Sequence, residues 1–548
     1  MGRILIAVAG AALVFAAPVP AQPAEDPERI APLLEGLGTH HRGIASTLPL
    51  VQRYFDQGLV LAYAFNHAEA ARAFREAQRL DPSCAMCHWG EALVLGPHVN
   101  APMAPDDVPV AWAALTRARA LASGATPVEQ ALIEALAARY GPEPVEDRSA
   151  LDRAYAAAMR GVAAAHPDDA DVQTLFAEAM MDTMPWDYWN PDGSPKPETQ
   201  EVLDALELAL AAQSDHPGAL HLWIHTVEKQ RPELGEEAAD RLAPLVPNAG
   251  HLVHMPGHIY LRIGRYVDAV EANRRAVRAD DAYLAQCRAQ GLYPLAYVPH
   301  NHDFLWMAAT MAGMREAAIE GANHIAHGAN PDFFDEPGGF GGQVQHFAVS
   351  PLFAYIRFGM WDEILAAEVP NRAYTRGIRH FARGVAFART DRVADAYREL
   401  DALAPLAADP ALADVSIGGF NSHQSILQIA ERYLAGEIAA ARGSFDLAAS
   451  ALETAVELEA QQMYIEPPSW PLPARHALGA VLLEADRPAE AEAVFRADLV
   501  AYPANGWAIT GLAESLRRQG RTADADALRA HLEAALRSAD VPITASRF

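Results

Sequence analysis

Three histidines stand close together in the segment from Ala249 to Ala279, at spacings of three and four residues. They are His251, His254 and His258. On an α-helix these spacings place the three imidazoles on one side, within an arc of about 60°. Imidazole is a ligand that zinc, copper, iron and nickel all accept, so such a helix could offer three ligands to one ion. Whether that side faces the core or a groove decides what the histidines can do.

The helices that must position these side chains belong to a repeating pattern. Residues 51–82 fit the tetratricopeptide template, a helical hairpin of about 34 residues, at seven offsets. The matching residues are Tyr54, Gly58, Leu61, Ala70, Phe74, Ala77 and Pro82. Small residues at three of these offsets let two helices approach closely, and aromatic residues fill the space between them. Because the template recurs along the chain, the sequence predicts an all-α, tetratricopeptide-type α-solenoid of about nine to twelve hairpins with loop insertions.

The predicted organisation has four parts. They are a signal peptide at residues 1–21, an N-terminal segment at 22–45, repeats with a histidine-rich groove at 46–350, and further repeats at 351–540. The leader combines Arg3, an apolar run and a small-residue site ending at Ala21, and it predicts a periplasmic or secreted protein. No later apolar run in the sequence has membrane-spanning length, so we expect no membrane anchor. A net charge of −27 argues against nucleic acid as a partner.

Loops interrupt the repeats at three places, and loops carry functional residues more often than the elements they connect. The three are an aromatic loop at 184–195, a glycine-rich loop at 328–342 and a proline-rich loop at 464–473. We therefore expect these insertions to contribute to function.

The chain resembles a family of exported bacterial tetratricopeptide-repeat proteins of mostly unassigned function. The resemblance covers essentially the whole mature chain. It rests on LGTHHRG near residue 37, YAFNHAEA at 63–70, CAMCHWGEALVLGP at 84–97, PWDYW at 185–189, HPGALHLWIH at 216–225, GHLVHMPGHIY at 250–260 and YVPHNHDFLW at 297–306. It implies the solenoid fold but no reaction, so the chemistry must come from the residues themselves.

Positions 2, 5 and 9 of the first helix of each repeat lie within about 60° on the side opposite the packing face. In tetratricopeptide solenoids this side lines the concave groove. The three central histidines occupy these positions, and neighbouring repeats add His221, His300 and His346 at position 2, Glu228 at position 9 and Asp303 at position 5. We therefore predict that the groove binds a transition metal ion, either zinc, copper or iron. Glu228 or Asp303 is a further candidate for a ligand or a general base. The pattern does not decide between a metal-dependent enzyme and a metal-handling protein.

Two other interpretations stay open. A histidine-lined groove can also bind a peptide or protein without metal, as an interaction scaffold. Separately, Cys84, Cys87 and His88 form a C-x-x-C-H sequence, the pattern of covalent c-type haem attachment. A disulfide between the two cysteines, or two buried thiols, is favoured over haem because the segment begins a repeat helix whose neighbours pack closely.

Overall fold

The structure is a computed structural model that describes residues 28–286 and 293–548. The signal peptide predicted at 1–21 lies outside the described residues, as does the start of the predicted N-terminal segment. The described residues form 27 α-helices, a few short 3-10 or π turns and one two-stranded ribbon. The all-α prediction is confirmed. None of the described helices is long and apolar enough to cross a membrane.

The first half of the chain is a series of antiparallel helical hairpins preceded by an extended segment. Its helices are α1 (Pro49–Tyr63), α2 (His67–Leu80), α3 (Ala85–Val94), α4 (Val108–Leu121), α5 (Pro127–Ala137), α6 (Ser149–Ala165), α7 (Ala170–Met181), α8 (Pro197–Ala212), α9 (Pro217–Val227), α10 (Glu236–Leu242), α11 (Gly250–His254), α12 (Pro256–Ile263) and α13 (Tyr266–Gln286). Short 3-10 helices span Pro105–Asp107, Ala122–Gly124 and Pro232–Gly235.

The second half continues the same arrangement. Its helices are α14 (Val298–Met311), α15 (Arg315–Gly328), α16 (Phe340–Phe347), α17 (Ser350–Arg357), α18 (Trp361–Ala366), α19 (Ala373–Arg389), α20 (Val393–Ala407), α21 (His423–Ala441), α22 (Phe445–Ala460), α23 (Ala474–Glu484), α24 (Pro488–Ala501), α25 (Gly506–Arg518), α26 (Thr522–Ala527) and α27 (Arg529–Ala535). A π turn spans Tyr293–Tyr297, and 3-10 helices span Pro331–Phe333 and Pro410–Leu412. Strands Ser416–Ile417 and Asn421–Ser422 pair antiparallel.

The contact that defines the repeat is visible at Phe74. A Cβ atom added to Gly58 would lie 2.7 Å from the Phe74 ring, and one added to Gly90 would lie 2.4 Å from it. The ring of the second helix therefore packs against bare backbone in the first helix of its own repeat and of the next. Phe495 repeats this contact against Gly479, at 2.3 Å. Glycine is required at these positions because a phenylalanine ring lies directly against the backbone. The tetratricopeptide-type packing is confirmed.

The C-terminal repeats contact the central repeats of the solenoid. The Trp507 indole donates a hydrogen bond to the carbonyl oxygen of Thr310 at 3.0 Å, which joins a C-terminal repeat to the centre of the chain. Near the C-terminus, the Asp540 carboxylate accepts from the backbone N–H of Arg315 at 2.7 Å. Two large apolar clusters fill the interior, one drawn mainly from the first half and one from the second, and a small third cluster surrounds Val51 and Tyr54. The domain boundary at residue 350 stays a prediction.

Candidate metal centre

The predicted groove is a cavity of about 1310 Å³ between the central repeats, the C-terminal repeats and the loops that interrupt them. The glycine-rich loop and the proline-rich loop both contribute to its wall. The side chains of His251, His254 and His258 are 1%, 0% and 4% exposed. His251 and His258 line the cavity, and His254 lies directly behind them. The three histidines face the inside of the solenoid, as predicted, but not bulk solvent.

The helix that carries the three histidines is broken, where the spacing predicts one continuous helix. Helix α11 ends at His254 and α12 begins at Pro256. Proline has no backbone N–H, so it cannot complete the α-helical hydrogen bond to the carbonyl four residues earlier. Met255 keeps helical dihedral angles across the junction, so His254 and His258 stay one turn apart and their imidazoles face each other, with 2.9 Å between their Nε2 atoms.

The first set of histidines consists of His221, His225 and His251, whose candidate ligand atoms lie within 4.8 Å of one another. The Nδ1 atom of His221 lies 2.7 Å from the carbonyl oxygen of Tyr63. A carbonyl only accepts, so Nδ1 of His221 carries the proton and its Nε2 keeps a lone pair. That Nε2 lies 3.2 Å from Nε2 of His251. The hydrogen bond to Tyr63 therefore presents His221 as a ligand.

The second set consists of His254, His258 and His300, also within 4.8 Å. The Nδ1 atom of His254 donates to Oδ1 of Asn273 at 2.7 Å, because the amide nitrogen of Asn273 already donates to its own helix. The Nδ1 atom of His258 donates to the Glu466 carboxylate at 2.9 Å. Hydrogen bonds of this kind fix ligating histidines in metal sites, and they leave both Nε2 atoms free of that proton.

The distances between the paired nitrogens match those of ligands on a shared ion. Imidazole nitrogens bind zinc at about 2.0–2.1 Å, so two of them at one ion are separated by roughly 3.0 Å at a right angle and 3.4 Å at the tetrahedral angle. The two observed separations are 2.9 Å and 3.2 Å. Each pair is therefore spaced for joint coordination.

Asn273 occupies the position that phenylalanine takes in the better-matching repeats. Counted from Gly250, it is residue 24 of its repeat, as Phe74 is in the first repeat. Its amide packs against the equivalent glycine, since a Cβ on Gly257 would lie 2.7 Å from its Nδ2 atom. The repeat has thus exchanged an apolar packing residue for one that orients His254.

Two buried carboxylates face the outer side of the second set. Glu228 lies 3.1 Å from Nδ1 of His258 and 3.6 Å from Nδ1 of His225, and Glu466 reaches His258 from the proline-rich loop. Burial lowers the pKa of His258, but the charges and hydrogen bonds of Glu228 and Glu466 outweigh it and raise that pKa to about 10. Burial raises the pKa of Glu228, but His258 and His225 bring it down to about 2. Glu228 thus acts on histidine orientation and charge.

Four imidazoles of the two sets, those of His221, His251, His254 and His300, are held neutral. Burial and the neighbouring histidines keep the pKa values of His221, His251 and His254 well below the usual range. Burial, with the charge on His258, lowers the pKa of His300 to about 3. Neutral imidazole is the form that binds metal.

Two predicted residues line the same cavity without joining either set. His346 packs with Tyr374, whose hydroxyl lies 2.6 Å from its Nδ1 atom. Asp303 accepts a hydrogen bond from the Trp306 indole at 2.7 Å, and burial raises its pKa to about 7. Conversely, the groove positions alone do not predict His225, which is residue 6 of its repeat. Its four-residue spacing from His221 is the sequence signal that could have found it.

A further polar group, His40, Asp171 and His216, lies away from the two sets. The Asp171 carboxylate accepts from His40 at 3.0 Å, His216 at 3.0 Å and the Tyr63 hydroxyl at 2.7 Å, and it pairs with Arg42 at 3.2 Å. With four donors the carboxylate is fully occupied. This group therefore fastens the extended N-terminal segment to the repeats.

Cys84 and Cys87 form a disulfide at the start of α3. Of the alternatives open for these cysteines, the structure has the disulfide, which occupies both sulfur atoms that haem attachment needs. His88 is half-buried beside it.

We expect a Cys84→Ser, Cys87→Ser double variant to lose about 2 kcal/mol of unfolding free energy, because the bond closes only a very short loop. Chemical denaturation of variant and wild type measures the loss. A Soret band after co-expression with cytochrome maturation machinery would contradict the disulfide assignment.

No protein-family model and no curated protein matches this chain. Similar solved structures include Ypp1, at 10% identity over 89% of this chain and 83% of that one, with a TM-score of 0.42. The human IFIT1 dimer with PPP-AAAA is 12% identical over 90% and 92% of the two chains, with a TM-score of 0.29. Yeast Tom70 is 11% identical over 88% and 89%, with a TM-score of 0.24. At this similarity the matches bring no function to the chain.

Proposed function

We propose that this chain binds a transition metal ion, either zinc, copper or iron, through the histidines that line its internal cavity. The observation that carries the proposal is the pair of Nε2 atoms on His254 and His258, 2.9 Å apart. Both rings have Nδ1 at an oxygen acceptor, so both Nε2 atoms point into the space between them, and an ion bound there would displace the second proton that Glu228 and Glu466 stabilise on His258. Imidazole ligands of this kind suit these metals.

An extra proton on His258 is the competing explanation for that contact, because an imidazolium could donate to His254. It does not account for the rest of the cluster. Nε2 of His225 has no hydrogen-bond partner among the described residues, and its Nδ1 has only the Glu228 carboxylate at 3.6 Å, although the side chain is buried. Nδ1 of His251 also has no hydrogen-bond partner among the described residues. Buried polar atoms without partners are costly, and a bound ion would supply the missing interaction.

The cavity gives such an ion access to small molecules. His251, His258 and His300 line it, so an ion bound to them would keep one side toward the open space. Three protein ligands with an open position are typical of catalytic rather than structural metal sites. We therefore propose a centre at which a small molecule can reach the metal. With the leader read from the sequence, its proposed location is the periplasm or the exterior.

Elemental analysis of the chain purified without chelator tests the proposal. We expect at least one transition metal ion per chain in the wild type and at least one ion fewer in a His254→Ala, His258→Ala variant. A His302→Ala, His324→Ala variant is the matched control, since it removes a stacked histidine pair outside both sets. Absence of metal from the wild type, or equal metal in both variants, would overturn the proposal. Circular dichroism confirms that each variant is folded.

A second candidate function is that of an interaction scaffold, which would bind a peptide segment inside the solenoid. The cavity is larger than the roughly 300–1,000 Å³ of ordinary small-molecule pockets, and it has Trp186, Phe420 and Tyr464 in its wall. Peptide binding that a chelator leaves unchanged would favour this function over the metal centre.

A further inference from the structure

Six histidines of the cavity fall into two sets that repeat the same construction. Each set takes two histidines four residues apart from one repeat and a third from position 2 of the next repeat. The first set is His221 and His225 with His251, and the second is His254 and His258 with His300. The pair occupies positions 2 and 6 of its repeat in the first set and positions 5 and 9 in the second, so the two sets share a construction but not a register.

The series ends after two sets. The next repeat contributes His346 at position 2, but Asp303 stands where a further histidine pair would begin. His346 is engaged with Tyr374 and not with the other imidazoles. The described residues therefore hold two sets made of histidine alone, while the other two candidate groups, His40 with Asp171 and His216 and Glu228 with His258 and Glu466, contain carboxylates.

The two sets are adjacent. The ring centroids of His225 and His258 are 5.9 Å apart, and those of His251 and His254 are 5.8 Å apart, although each pair belongs to different sets. Within the sets the centroid separations run from 4.7 to 6.2 Å. Ions held by the two sets would therefore be neighbours on one wall of the cavity.

From this arrangement we infer that the cavity holds two transition metal ions side by side, one on His221, His225 and His251 and the other on His254, His258 and His300. The inference rests on the proposed function. Three imidazoles are a full set of protein ligands for one ion that keeps an open position. A single ion would therefore leave the other three histidines buried with no ion to bind. His225 and His251, with their unpartnered ring nitrogens, both belong to the set that a single ion on His254 and His258 would leave empty.

Glu228 is the positioning residue that the two sets share. Its carboxylate lies 3.6 Å from Nδ1 of His225 and 3.1 Å from Nδ1 of His258, so it faces one histidine of each set, and it lines the same cavity. Together with Glu466, which is 3.5 Å from Arg262, it places two carboxylates beside the imidazoles. This buried negative charge offsets part of the charge of two divalent ions.

Titration of the chelator-treated wild-type chain with copper(II) chloride, followed by EPR spectroscopy and elemental analysis, tests the inference. We expect the EPR signal to rise over the first equivalent. It should then fall clearly below the bound copper as the second equivalent binds, because neighbouring copper(II) ions couple magnetically. Two bound ions with full EPR intensity would overturn the side-by-side placement.

Variants of each set separate this inference from the proposed function. His221→Ala with His225→Ala, and His258→Ala with His300→Ala, should each reduce the bound metal from two ions per chain to one. A wild type that binds one ion would contradict the inference and leave the proposed function standing. A wild type that binds none would refute both. Because the wild-type titration needs no variant, a misfolded variant does not remove the test.

Discussion

Removing metal from this chain is expected to lower its free energy of unfolding by about 4 kcal/mol for each site, measured against free metal at a thousand times the dissociation constant. The ligands come from residues 221 to 300, and Glu466 adds support from much further along the chain. An unfolded chain cannot bring these groups together, so the binding free energy appears as stability of the folded state. The expected result is a melting temperature that rises with metal concentration.

Thermal melting of chelator-treated protein, followed by stepwise addition of zinc, copper(II) or iron(II) salts, measures this effect. The His302→Ala, His324→Ala variant should respond as the wild type does. The His254→Ala, His258→Ala variant should show a much smaller response. If the melting temperature does not change when metal is added, or rises equally in both variants, the buried histidines do not bind the metal.

Much of the fold was predictable because tetratricopeptide packing is local. Contacts such as Phe74 against Gly58 lie within one hairpin, so fixed offsets in the sequence report them directly. The same register placed His251, His254 and His258 on the inner side of the solenoid. The helical period fixes that side once the packing face is known.

The parts that could not be predicted depend on long-range contacts. Glu466 stands 208 positions from His258, and only the closing of the solenoid and the path of the proline-rich loop bring them together. The contribution of the two loops to the cavity wall has the same origin. No offset within one repeat encodes either feature. The break at Pro256, by contrast, can be predicted from the sequence, because proline lacks the backbone N–H that a helical hydrogen bond needs.

Asn273→Leu should separate metal binding from stability. Leucine fills the equivalent position at Leu452, where a Cβ on Gly436 would lie 2.5 Å from its side chain, so the repeat accommodates it. The variant removes the acceptor that holds Nδ1 of His254, and loss of such a partner costs about 10–100-fold in metal affinity. We expect that loss together with an unfolding free energy, measured without metal, that stays within about 1–3 kcal/mol of the wild type, since burial of leucine offsets the cost of leaving Nδ1 of His254 without its acceptor.

Two further variants determine how the Asn273 result is understood. Asn273→Asp keeps an acceptor for His254 and should keep most of the affinity. Leu452→Asn makes the reverse exchange in a repeat without ligands, so it should lower stability by about 1–3 kcal/mol while leaving metal affinity unchanged. Competition titration against a chelator of known affinity measures binding, and chemical denaturation measures stability. If Asn273→Leu binds metal as tightly as the wild type, the hydrogen bond to His254 serves packing alone. The asparagine at this position would then have no part in the centre.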